Sequence, residues 1–246
     1  MALRDEIIPY VDGNGLVAPG LTSGVGRGSD NGPMFSSEYF VMLKKLGQLT
    51  DQDKKDFDRL IGACVTSDGL LNRAPVGTDS DQEGPDDYYG VLNGCKQLGN
   101  TSIPRKMLWA VVKYLGFLNN NQPGKWTKES FLVRQVQMLA AMVAAAFPSW
   151  KNPIHILIRL ACSPLFFIAG LVLCVSCWGA DPHDSDARRL AWHLMQATKG
   201  SSLWCWIGSK IWLKRLYKTY GQEGMRAVAY LYYQDKHPFR RYWVTE

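Results

Sequence analysis

The stretch LACSPLFFIAGLVLCVSCWGA, Leu160 to Ala180, carries no formal charge and is the longest apolar run of the chain. About 20 apolar residues are enough to cross a membrane. The same run can also form the central helix of an all-helical domain, and three features favour that reading. Pro164 and Gly170 interrupt the run, and Ser163 and Ser176 dilute it. His155 and Arg159 continue its apolar pattern upstream, which suits a long, mostly buried helix with a few polar positions. The other segments are amphipathic and need an apolar element to pack on. The expectation is a buried helix; the competing one is a span at 160–180.

The chain has 246 residues, 46% hydrophobic and 20% charged, enough for one sizeable domain. Its net charge of +6 is uneven. Basic residues crowd the part after Arg188, whereas Asp51 to Asp87 is rich in aspartate. Such an excess suits an acidic partner and also keeps a protein soluble. Of six cysteines, four lie in apolar surroundings, where a free thiol behaves as a small hydrophobe. Cys174 and Cys177 form a lone CxxC with no second pair, so neither a metal nor another cofactor is expected. The first residues, MALRDEIIPYVDGNG, lack the apolar core of a secretory signal. Synthesis in the cytoplasm, with reduced thiols, is the expectation.

Glycine and proline density makes residues 1–35 read as an arm, because glycine disfavours helix. Residues 36–246 read as a single helical domain. Nearly every segment there opens on Ser, Thr, Asp or Pro, and several close on Gly. Thr50-Asp51, Asp86-Asp87, Ser102 with Pro104, Thr127, Asn152-Pro153 and Asp184 or Asp186 mark such starts. The count is about nine helices and no alternating strand, hence an all-α fold. Ala140–Phe147 and Ile154–Trp178 are apolar enough to be inner helices; Phe57–Val65 and Leu190–Ala197 are amphipathic outer ones. Such alternation predicts antiparallel helical hairpins, in an α/α toroid-like or layered array. No sequence period is evident.

Three loop segments combine carboxylates with aromatic rings: 28–39, 67–90 and 178–192. In an antiparallel array alternate helix starts share one end, so these loops can converge. Carboxylates beside aromatic platforms suit sugar chemistry, one acting as acid, another as base or nucleophile, while rings stack on the sugar. The candidate catalytic residues are Asp30, Asp86, Asp87, Asp181 and His183. The candidate substrate-binding residues are Arg73, Tyr88, Tyr89, Trp178 and Trp192. The plainer alternative for Asp86 and Asp87 is helix capping. DSDQEGPDDYYG, 79–90, partly matches a calcium loop but ends on Gly90 where a glutamate is needed. The late aromatics, interleaved with Lys and Arg, suit nucleic acid or a domain edge. There is no GxSxG, HExxH or Walker motif.

DNGPMFSSEY, GLLNRAP, GPDDYYGVL and WGADPHD together resemble segments of phage-encoded all-α proteins of the glycan-active α/α-toroid type. The resemblance implies a glycoside hydrolase or lyase acting on a glycan. The second reading is a non-enzymatic structural or adaptor protein of a virion, with other virion proteins as partners. The third is a membrane-associated protein spanning at 160–180.

Overall fold

The structure is a computed structural model. It describes residues 3–17, 32–77, 85–114 and 132–179, with Ile207, Lys210 and Ile211. For 85, 86, 132–135, 137 and 172–179 it describes the backbone alone. The described part is all-α. Its helices are α1 (Leu3–Ile7), α2 (Gly32–Lys45), α3 (Asp51–Ala63), α4 (Pro85–Leu98), α5 (Ser102–Lys113), α6 (Leu132–Ala146), α7 (Pro153–Ala161) and α8 (Ser163–Gly179). A short 3-10 turn, Ile8–Tyr10, extends α1. The only β features among the described residues are two isolated antiparallel bridges, Val11 with Val17 and Val65 with Leu71.

Burial separates two kinds of helix. In α3 only Asp53, Phe57 and Ile61 are buried, one stripe at helical spacing. In α5 the stripe is Ile103, Pro104, Met107 and Ala110. Every described side chain of α4 from Asp87 to Cys95 is buried, as is α2 from Gly32 to Glu38 and α6 from Ala140 to Ala146. Helices buried all round need partners on several sides. Accordingly α4 packs against both α2 and α6, and α6 against α4, α5 and α8. The inner character expected for Ala140–Phe147 is thus found for Ala140–Ala146, and the outer character expected around Phe57 is found in α3.

Glycines set the closest of these contacts. A Cβ at Gly90 would lie 2.4 Å from Met34 Cγ, and one at Gly94 would lie 2.9 Å from Ser37 Cβ and from Phe57 Cε2. Further along, the Lys44 ammonium donates to the Gln97 carbonyl. The contacts therefore ascend both helices together, so α2 and α4 run in the same direction, with α3 returning the chain between them. Both end on a glycine in the left-handed region, Gly47 (φ 67°) and Gly99 (φ 83°), the usual way to stop a helix.

Local sequence accounts for the boundaries. Thr50 opens α3 with a reciprocal capping box: its hydroxyl accepts from Asp53 N–H at 3.2 Å, and Asp53 Oδ2 accepts from Thr50 N–H at 2.6 Å. Arg4 reaches the same carboxylate from α1, at 2.6 Å to Oδ1. The α5 start is capped by Asn100, whose Oδ1 accepts from Ile103 N–H at 3.0 Å. Asn152 caps α7, and Pro153 occupies its first turn.

Within residues 3–17, Leu3, Ile7, Tyr10, Leu16 and Val17 are core residues. One expectation differs from the structure. The run around Leu160 is not one long buried helix. It breaks at Cys162, ahead of Ser163-Pro164, and α7 meets the first part of α8 at 57°. Pro164 lacks the N–H that would continue α7. Among the described residues no single helix is long and apolar enough to cross a membrane; by length and composition the bent pair Pro153–Ala161 with Ser163–Leu171 is. In α7 the buried residue is Arg159, whose Nε donates to the Phe147 carbonyl at 2.7 Å. Ile154, Leu157 and Leu160 face out at 64%, 65% and 62% exposure.

Candidate site at the shared end of α2 and α4

Two short hairpins lie at the ends from which α2 and α4 start, and they are built alike. In the first, VDGNGLV, Asp12 N–H donates to the Leu16 carbonyl and Gly15 N–H to the Asp12 carbonyl. Asp12 Oδ1 accepts from Leu16 N–H at 2.9 Å. In the second, VTSDGLL, Thr66 N–H donates to the Leu70 carbonyl and Gly69 N–H to the Thr66 carbonyl. Thr66 Oγ1 accepts from Leu70 N–H at 2.9 Å. Gly15 and Gly69 hold φ 81° and 88°, the left-handed geometry that side chains disfavour. Polar Asp12 and Thr66 play one role because each offers an acceptor to the same turn.

Each hairpin is tied to the helix that follows it. Ser36 Oγ, in α2, accepts from Val17 N–H at 2.9 Å. Tyr88 OH, in α4, accepts from Leu71 N–H at 3.0 Å. Ser36 and Tyr88 occupy the same place, three residues after the proline of GPMFS and GPDDY. The bridges, the turn glycines and the helix ties therefore form a structural repeat. Its signal in the sequence is slight: V-x-x-x-G-L, then G-P, then K-x-L-G.

Polar groups collect where the two units meet. Arg73 Nε lies 3.5 Å from Asp87 Oδ2, and the Asp87 side chain is fully buried. A Cβ at Gly32, the first residue of α2, would lie 3.3 Å from the Arg73 carbonyl. Asn72, Ser36 and Ser37 are buried nearby in the sequence. Cys64 closes α3 beside this cluster. Burial first, then the charges of Asp87 and Asp12, push its thiol up to about 12. Both carboxylates therefore act on one buried thiol. Asp12 Oδ1 is used by the turn, whereas its buried Oδ2 makes no hydrogen bond among the described residues.

The proposed site residues divide as follows. Asp87 and Arg73 come together as an ion pair. Tyr88 and Tyr89 are 2% and 0% exposed and belong to the core, so neither offers a face for stacking. Tyr88 instead contributes its hydroxyl to the hairpin. Asp86 lies in the first turn of α4 and Trp178 in the last turn of α8, but their side chains are outside the described set. Asp30, Asp181, His183 and Trp192 lie outside the described residues, as do Cys174, Cys177 and Cys205 or their side chains. Asp12 is the carboxylate that sequence reasoning did not select. Among the described residues no three His, Cys, Asp or Glu side chains are grouped to hold a metal ion. Cys64, Cys95 and Cys162 are free thiols.

The chain matches no protein-family model, no curated protein and no solved structure.

Proposed function

We propose that the chain is a glycan-active helical protein, a hydrolase or lyase of phage type. Its active end lies where α2 and α4 begin, in an α/α toroid-like array of hairpins. The observation that carries this reading is the pair of carboxylates, Asp12 and Asp87, brought by successive units to one end of two helices that run in parallel. Paired carboxylates are the minimum that glycoside cleavage needs. Arg73 fixes the direction of Asp87 through the ion pair. Asp12 Oδ2 is left unused by the turn. Asp30, Asp86, Asp181 and His183 remain candidates for the groups that complete the site, with Trp178 and Trp192 as stacking surfaces.

A panel of bacterial polysaccharides tests it. Reducing-sugar release reports hydrolysis, and new ultraviolet absorbance from an unsaturated uronate reports elimination. The full chain should cleave at least one member, and Asp12→Asn should lower the rate at least a hundredfold while still supporting the turn through its amide oxygen. A folded Asp12→Asn protein with full activity, or an inert parent chain, would refute the reading.

The second reading is a structural or adaptor protein of a virion. It is supported by the burial of Tyr88 and Tyr89 and by the open apolar surface of α7 and α8. Such patches mark interaction surfaces. Stable co-purification with virion proteins, without cleavage of any glycan, would favour it.

A further inference from the structure

α7 and α8 carry apolar side chains outward. On α7 Ile154, Leu157, Leu160 and Ala161 are exposed, at spacings that keep them on one stripe. On α8 Pro164, Phe167, Ile168 and Leu171 continue it. The one charged residue between Pro153 and Leu171 is Arg159, and it is turned inward. Its Nε donates to the Phe147 carbonyl at 2.7 Å, its Nη2 to the Ala144 carbonyl at 3.4 Å, and its guanidinium lies 4.4 Å from the Trp150 ring centroid. α7 thus buries its charge and exposes Leu157 and Leu160, the reverse of a helix that packs on a core and faces water.

The surroundings of this face point to its occupant. From Tyr88 to Ala180 the sequence holds one acidic residue, Glu129, against nine lysines and arginines. Trp150 and Lys151 are exposed directly before α7. Arg105 of α5 reaches the same end: its guanidinium lies 5.6 Å from the Phe147 ring centroid, and that ring meets His155 of α7 at 5.4 Å. Trp109, one turn further along α5, is 65% exposed. Exposed tryptophan with lysine and arginine at the edge of an apolar face is the pattern of a membrane–water boundary. Basic residues there are attracted to anionic headgroups. A second copy docked by this face would instead set two basic rims against each other.

By length and composition α7 with the first part of α8 meets the requirement of a membrane segment, bent by 57°. A buried core helix can be as apolar, but this pair is open. Hydrogen bonds also continue through the corner: Cys162 N–H donates to the Ile158 carbonyl and Phe166 N–H to the Cys162 carbonyl. Backbone satisfied within the segment is what an apolar medium demands.

We propose that α7 and the first half of α8 form a bent wedge that lies in the interface of an anionic lipid bilayer. Leu157, Leu160, Phe167 and Leu171 enter among the acyl chains, to a depth of about 5–10 Å, and Trp150, Lys151, Arg105 and Trp109 sit at the headgroups. The inference does not rest on the glycan reading. It assigns to lipid the face on which the adaptor reading draws.

The test floats the full chain with vesicles of phosphatidylcholine and phosphatidylglycerol, two to one, and with vesicles of phosphatidylcholine alone. The protein should rise with the first and less with the second. Alkaline carbonate, which strips interfacial proteins but not spanning ones, should release it. Leu157→Glu and Phe167→Glu should each lower partition more than about tenfold, since each puts a charge among acyl chains. Both should keep the parent's circular-dichroism spectrum and melting temperature, because these side chains are already exposed. Lys55→Gln, the same change of net charge at an exposed site on α3, should leave partition unchanged. No flotation of the parent, equal flotation with both vesicles, undiminished flotation of both Glu variants, or resistance to carbonate would each overturn the proposal. A dimer in solution that Leu157→Glu separates, without binding to either vesicle, would show a second copy on this face and overturn it. A large fall in melting temperature in both Glu variants would show that protein covers the face, and would overturn it too.

Discussion

Three glycine-to-alanine changes separate backbone strain from packing in a way the structure makes quantitative. Gly62 lies in α3 with open space around the added methyl, so Gly62→Ala should gain about 0.5–1 kcal/mol from helix propensity. Gly99 has φ 83° and also nothing within 4 Å. Gly99→Ala should therefore cost only the left-handed penalty, about 1–2 kcal/mol. Gly69 has φ 88°, and its methyl would lie 2.1 Å from the Lys106 carbonyl oxygen. That oxygen belongs to the α5 backbone, so the hairpin must lift away from the helix. Adding an overpacking cost of about 1–3 kcal/mol gives roughly 2–5 kcal/mol for Gly69→Ala. Urea unfolding followed by the helical circular-dichroism signal measures all three. If Gly69→Ala costs no more than Gly99→Ala, the hairpin is not seated on α5 and the packing argument fails.

The Arg4 hydrogen bond beside Asp53 holds that carboxyl well below its usual range. A lowered folded value contributes stability above the unfolded pKa of about 4 and loses it as pH falls through the folded value. Asp53→Asn should flatten the fall of melting temperature between about pH 5 and 2; an unchanged slope would show that the pair does not couple to folding. Thr50→Ala, which removes the other half of the capping box, should cost about 1 kcal/mol by urea titration. Burial pushes up the thiols of both Cys64 and Cys95. Both should resist a disulfide reagent in the native protein at neutral pH and react after unfolding, since the thiolate is the nucleophile; prompt labelling of native Cys64 would mean that the cluster around Asp87 is open.

Helix starts were legible wherever a side chain caps its own backbone. Thr50 and Asn152 announce α3 and α7 because capping is a local interaction encoded within a few residues. The buried stripe of Phe57 and Ile61 in α3 follows from periodicity. Tyr88 and Tyr89 misled because a tyrosine beside aspartates reads as surface, whereas a buried hydroxyl needs only one partner, here the Leu71 N–H. The fate of Ile154, Leu157 and Leu160 was equally hidden. Their apolarity says that they will be covered, not by what. The hairpins escaped notice because Asp12 and Thr66 share a lone pair rather than a residue type, and the repeat resides in the hydrogen bonds.

Each hairpin leans forward. A methyl on Gly15 would lie 3.3 Å from Leu60 of α3, just as Gly69 crowds Lys106 of α5. During translation, neither turn has its seat until a helix further along the message has been made. Nascent chains fold from the N-terminal side as they emerge. Each unit of this protein therefore leaves the ribosome with an unfinished leading edge, closed only by its successor. A pause after residue 98 would strand the second turn without α5, and a synonymous change that slows the ribosome there would be felt in the yield of folded protein although the finished sequence is identical.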